Sequence, residues 1–246
     1  MAAIPRLYWP ENLQENLTIC PDQNIERYLV KILRLTTGAQ LRLFNGQQSG
    51  EWDTVIQSHT PLQLRTVAFR PRATESLLQI TVVLCICKMD ALETAVQKLT
   101  ELGVQRLLLL HCQRSSSHGA ADLNENRLQR LLRIAIEAAE QSERVSVPQI
   151  VLVNRWLHLN EYLADGDRLL LKERGDGVPS IAEVLKKSSN ITLLIGPEGG
   201  FTEQELNHAT CSWRFVAVQL GPRILRCETA VLVSVSICQM IGGDFG

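Results

Sequence analysis

The 246-residue sequence has no apolar run approaching the roughly 18 residues that cross a membrane, which excludes a spanning helix of the ordinary kind. Its first residues, MAAIPRLYWP, lack the basic-then-apolar order of a secretion leader, so the expected location is the cytoplasm, with no membrane partner. The seven cysteines are odd in number and scattered, several inside apolar runs (Cys85, Cys87, Cys238), and none forms a C-x-x-C pair. That excludes a zinc ribbon or a redox dithiol and leaves reduced, buried thiols as the expectation. His59, His111, His118, His158 and His208 lack any H-x-x-x-H spacing, so no metal site is expected. A net charge of −1 excludes a polycation built along its whole length for nucleic acid; any basic surface must be local. The phosphate loop G-x-x-x-x-G-K-[ST] is missing, with Phe201 where its lysine belongs, and no internal repeat or low-complexity segment is present.

What is present is a chain that is 45% hydrophobic, long enough for one large or two modest cores, and that changes character near residue 72. Before that point, short alternating runs (QLRLFNGQ, EWDTVIQ, PLQLRTVAF) are separated by Asn-Gly and Pro signals, the pattern of a small β-rich domain of hairpins over residues 1–72. RPRATES, Arg70 to Ser76, is the expected linker. Residues 73–246 carry continuous apolar runs (ITVVLCIC, RLLLLH, PQIVLV, RLLLK, ITLLIG, FVAVQL) with helical patterns between several of them, which predicts an α/β domain with a mostly parallel sheet buried on both faces. Asp90 and Glu93 suggest a capping box for a helix along ALETAVQKLTEL, with Leu92, Val96, Leu99 and Leu102 in one stripe and Gly103 at its end. A second helix is expected through NRLQRLLRIAIEAAEQS. Residues 1–72 hold 8 basic and 6 acidic side chains, the rest 17 and 20, a weak indication that the small domain faces an anion.

Two stretches carry the chemistry. In LLIGPEGGFTEQEL, residues 193–206, an apolar strand runs into the loop GPEGG, and Thr202 with Glu205 forms a capping box that starts a helix just beyond it. Loop amides and a helix start there are suited to a ligand approached closely by backbone. In LGPRILRCETA, residues 220–230, a second strand end, Gly-Pro turn and helix follow in the same order. Paired loops of this kind at strand carboxyl ends are where open α/β sheets place ligands. Arg223 and Arg226 flank Ile224 and Leu225, offering cationic donors beside a surface for a flat heterocycle. Cys227 has no argued histidine partner and reads as a packing residue. GDGVPS, Gly175 to Ser180, is a weak dinucleotide fingerprint and reads as a loop.

The pair LLIGPEGGFTEQEL and LGPRILRCETA resembles the signature of the bacterial 16S ribosomal RNA uridine N3-methyltransferases, the RsmE family of the SPOUT superfamily. PRLYWP, LRLFNGQ, QKLTELGV, Arg114-Ser115 and AIEAAEQS fall in the family's order. The resemblance implies a trefoil-knotted catalytic domain with a mostly parallel sheet, preceded by a small PUA-like β-barrel that helps bind RNA. It implies S-adenosylmethionine as cofactor, small-subunit 16S rRNA as partner, and a homodimer. Carried over residue by residue, Ile195, Gly196, Glu198, Gly199 and Gly200 form one cofactor wall and Leu220, Gly221, Ile224, Leu225 and Arg226 the other. Arg226 is the catalytic candidate, with Glu228 a candidate proton acceptor, and Arg6, Arg34 and Arg114 are RNA-contact candidates. Cys227 replaces the family's usual threonine, Glu143 stands where a glycine is common, and residues 116–122 lack the family's usual apolar and lysine residues. Another SPOUT methyltransferase acting on ribose 2′-OH or guanine, and a non-catalytic ribosome-assembly factor, remain as alternatives.

Overall fold

The computed structural model describes residues 4–115, 123–173, 177–185 and 188–246; His118, the departures at 116–122 and part of GDGVPS lie outside them. The chain divides into two compact units, Met1–Glu75 with Ala139–Val147, and Ser76–Ala138 with Pro148–Gly246. The smaller unit therefore takes a few residues more than 1–72, and also a second segment that hydrophobic periodicity does not single out.

In the small unit β1 (Arg6–Tyr8), β3 (Gln40–Phe44), β4 (Gly50–His59), β5 (Leu62–Pro71) and β2 (Thr18–Ile19) lie side by side in that order. β3, β4 and β5 form an antiparallel meander, and β1 joins parallel to β3. Alternation along these strands turns Leu41, Leu43, Ile56 and Leu64 inward, where they meet Leu29. Leu29 comes from the π-helical turn Arg27–Ile32, which continues α1 (Gln23–Glu26). β5 extends through Arg70 and Pro71, so the expected linker begins in a strand.

Beneath this sheet lies a buried ion cluster. Glu51, 1% exposed, takes Arg6 Nε at 2.9 Å on one oxygen, and Arg42 and Arg72 at 2.9 and 3.1 Å on the other. Burial alone raises a carboxyl group, but the hydrogen bonds and charges of Arg6 and Arg72 outweigh it and hold Glu51 below the usual carboxylate range.

The large unit is a six-stranded sheet in the order β11-β9-β10-β6-β7-β8, every pairing parallel. Its strands are β6 (Gln79–Cys85), β7 (Arg106–Leu110), β8 (Gln149–Val153), β9 (Asp167–Leu171), β10 (Asn190–Ile195) and β11 (Val216–Val218). The continuous apolar runs are explained by burial on both faces: Ile80 through Ile86, Leu107 through Leu110 and Leu193 through Ile195 are almost wholly covered, Thr81 included. One face packs beneath α2 (Met89–Glu101) and α6 (Cys227–Gly242), which touch each other, and the short α4 (Ile181–Val184) also contacts α6. The other meets Leu159, Ala209, Trp213 and Phe215.

α2 differs from the expectation at its start. Lys88 is the N-cap residue and gives no side-chain bond, so Asp90 lies inside the first turn and no capping box forms. Glu93 instead holds Arg130 of α3 (Glu125–Gln141) at 2.6 and 2.8 Å. Gly103, φ +80°, ends α2 as expected, in the left-handed conformation that glycine adopts without strain. All seven cysteines are free thiols.

Candidate functional site

Three adjacent strands, β11, β9 and β10, end on the same side of the large sheet, and a cavity of about 520 Å³ opens there. A volume of this size lies within the roughly 300–1,000 Å³ of small-molecule sites. Its walls include Ile195, Gly196, Glu198, Gly199 and Gly200 from the loop after β10, and Leu220, Gly221, Ile224, Leu225 and Arg226 from the loop after β11. All ten proposed cofactor residues are thus brought together around one space. Arg114, four residues beyond the end of β7, completes the rim.

The loops owe their shape to local chemistry. Thr202 caps α5 (Glu203–Asn207), accepting from Glu205 N at 3.2 Å while Glu205 accepts from Thr202 N at 2.9 Å, the expected reciprocal box. Gly200 and Gly221 have φ of +65° and +113°, which side-chain-bearing residues rarely adopt, and a Cβ at either would meet nothing within 4 Å. The absent Cβ atoms therefore leave open space lining the cavity. Gly199 is crowded instead: a Cβ would lie 3.2 Å from Arg114 Cβ, and Arg114 Nη1 donates to Gly199 O at 3.0 Å.

Arg226 is the N-cap residue of α6, in extended conformation and exposed, with its side chain making no capping bond and facing the cavity rim. Cys227 is 6% exposed; its hydrogen bond to Cys87, then burial, then the charges of Glu198 and Glu228 raise its thiol far above the ordinary range. It stays protonated and is no nucleophile, in keeping with a packing role. Glu228 sits in the first turn of α6 but does not line the cavity; among the described residues the carboxylates that do are Glu173 and Glu198. Glu173, with Leu171 and Lys172 at the end of β9, escaped the sequence reading. Only the strand order, which puts β9 between β11 and β10, reveals them.

The RNA-contact candidates separate sharply. Arg34 is exposed, at φ +52°. Arg6 is 8% exposed and stacks over Phe44 with its guanidinium 4.7 Å from the ring centroid. Besides Glu51 it donates to the carbonyls of Ala139, Glu140 and Arg144 at 3.2, 3.1 and 2.8 Å. Arg6 therefore closes the C-terminal end of α3 rather than facing solvent, which corrects its assignment as an RNA contact.

A family model described as the RNA methyltransferase domain matches residues 74–239. Over 96% of both chains, the sequence is 30% identical to a ribosomal RNA small subunit methyltransferase E of Rickettsia conorii. The chain belongs to the ribosomal RNA small subunit methyltransferase E family. A Neisseria gonorrhoeae methyltransferase E solved with S-adenosylmethionine superposes with a TM-score of 0.87 at 30% identity, covering 99% of this chain and 100% of that one. A Legionella pneumophila protein, also solved with bound S-adenosylmethionine, gives 0.89 at 27% identity with the same coverage. Among the described residues of the chain no His, Cys, Asp or Glu group is arranged to hold a metal ion, and no helix is long and apolar enough to cross a membrane.

Proposed function

We propose that the protein transfers a methyl group from S-adenosylmethionine to N3 of a uridine in the 16S rRNA of the small ribosomal subunit. The observation that carries this reading is the single cavity wall built by both Gly-Pro loops, in a chain that matches a small-subunit rRNA methyltransferase nearly end to end. The residues fit the cofactor: apolar Ile195, Leu220, Ile224 and Leu225 suit a flat adenine, and the open spaces at Gly200 and Gly221 admit close backbone approach. Bound S-adenosylmethionine supplies an electrophilic methyl group on a sulfonium that leaves as a neutral thioether.

The remaining work falls to the chain. Uracil N3 must lose its proton, and negative charge then spreads to O2 and O4; the Arg226 guanidinium at the cavity rim donates to that charge as it grows. Glu228, outside the cavity lining, has no geometric support as the proton acceptor, and Glu173 or Glu198 is better placed for that role. The same proposal includes a small unit acting as a PUA-like RNA-binding barrel, a trefoil-knotted C-terminal segment, a homodimer and a cytoplasmic location.

Methyl transfer from labelled cofactor to small subunits lacking the modification, followed by mapping of the labelled nucleotide, tests the reading. Label on N3 of a single uridine is expected. Label on a ribose 2′-OH or a guanine assigns a different methyltransferase activity, and cofactor binding without any transfer assigns a non-catalytic factor.

A further inference from the structure

Glu205 does more than its capping box requires. A box of the form Thr-x-x-Glu works equally well with glutamine at the last position, so capping alone gives no reason to bury a carboxylate there. Yet Glu205 is only 7% exposed. Its Oε2 accepts from Thr202 N and Thr202 Oγ1 at 2.9 and 3.0 Å. Its Oε1 points the other way and accepts from Gln113 N at 2.7 Å, across 92 residues of chain.

Gln113 sits in a turn closed on itself. Ser115 Oγ accepts from Cys112 N at 3.1 Å, and Ser115 N donates to Cys112 O at 3.1 Å. The next residue after Gln113 is Arg114, whose guanidinium reaches Gly199 O. One buried carboxylate therefore ties the loop that carries Arg114 to the glycine loop it must meet. We propose that Glu205 is a positioning residue, which fixes Arg114 at the cavity rim for RNA by holding the Gln113 amide. This rests on the methyltransferase reading, in which Arg114 contacts RNA.

Glu205→Gln separates the two duties. An amide has one acceptor oxygen where the carboxylate has two, so it serves Thr202 or Gln113 but not both. Thr202 offers two donors and retains the oxygen; the side-chain NH2 then faces the Gln113 N–H, donor against donor. The experiment compares wild type, Glu205→Gln, Arg114→Ala and the double variant by amide exchange, thermal melting, cofactor calorimetry and RNA kinetics.

In Glu205→Gln the Gln113 amide should exchange at least about tenfold faster, as expected when a bond to a charged acceptor is lost. The Thr202 amide should stay close to wild type, and the melting temperature should fall by only a few degrees, the cost of one buried donor left unsatisfied. KM for the small subunit should rise about tenfold with cofactor affinity nearly unchanged, and adding Arg114→Ala should cost little more than Arg114→Ala alone. Unchanged Gln113 exchange, independent multiplying effects of the two substitutions, or a parallel fall in melting temperature, cofactor affinity and RNA affinity would each overturn the proposal. A wild-type enzyme that binds cofactor but methylates nothing refutes the functional reading alone, since the exchange measurement still judges the tether.

Discussion

Arg226 and Cys227 are sequence neighbours with opposite surroundings, and that contrast supports the different roles proposed for them. The arginine is exposed at the cavity rim, while the cysteine is buried against Cys87 with its thiol kept protonated. An interaction that strengthens only as charge develops on the uracil appears in the rate and hardly in cofactor affinity. Arg226→Ala should therefore bind S-adenosylmethionine within a few-fold of wild type yet turn over roughly a hundredfold or more slowly, the usual cost of removing one preorganised donor. Cys227→Thr should remain active, because no step needs the thiol. Steady-state kinetics beside calorimetry check both, and a fast Arg226→Ala enzyme with a dead Cys227→Thr enzyme would reverse the assignment. Glu143 shows the same dependence on context: it occupies φ +60°, a conformation that glycine adopts without strain, and its carboxylate pairs with Arg72.

At the scale of elements, the strands were readable because burial on both faces leaves continuous apolar runs, and all six such runs became strands of the large sheet. Their order was not readable, since it depends on pairings distant in sequence, and with it went the β9 contribution of Leu171, Lys172 and Glu173 to the cavity. Arg6 failed for the same reason. Its motif resemblance gave no sign of partners 133 to 138 residues away at the end of α3. The start of α2 failed locally, where Asp90 has capping chemistry but lies two positions beyond the N-cap residue Lys88. The Arg6–Glu51 cluster predicts a pH dependence. Because the native Glu51 carboxyl is held below its ordinary value, its contribution is complete above that value and is lost as pH falls through the lower native one. Thermal unfolding between about pH 7 and pH 3 should show wild-type stability falling more steeply at the acid end than that of Glu51→Gln. At neutral pH the variant should be less stable by about 3–5 kcal/mol, since buried Arg6 then faces no carboxylate, while Arg42 and Arg72 keep only Asp53 and Glu143. Equal acid slopes in the two proteins would show that Glu51 does not titrate with unfolding.

For the molecule as a whole, net charge and fold leave RNA affinity to local cations. Residues 1–72 are the part with a basic excess, and with Arg6 internal that excess reaches solvent through side chains such as Arg27, Lys31 and Arg34, all exposed on or just after the π-helical turn. Deleting the small unit is a poor test of this, because Ala139–Val147 belongs to the same compact unit and would lose its packing. Arg34→Gly is cleaner. At φ +52° glycine keeps the turn without strain, so the charge leaves while the backbone stays. If Arg34 neutralises a phosphate, the plot of log affinity for small-subunit RNA against log salt should become shallower by about 0.7–0.9, the contribution of one released counterion. Binding should weaken at low salt and converge toward wild type at high salt, while cofactor affinity and melting temperature remain unchanged. Arg34→Lys should keep the slope, because the phosphate term reads charge rather than guanidinium geometry. A slope identical in wild type and Arg34→Gly would remove Arg34 from the RNA-binding surface and leave the proposed RNA role of the small unit to other exposed cations such as Arg27 and Lys31.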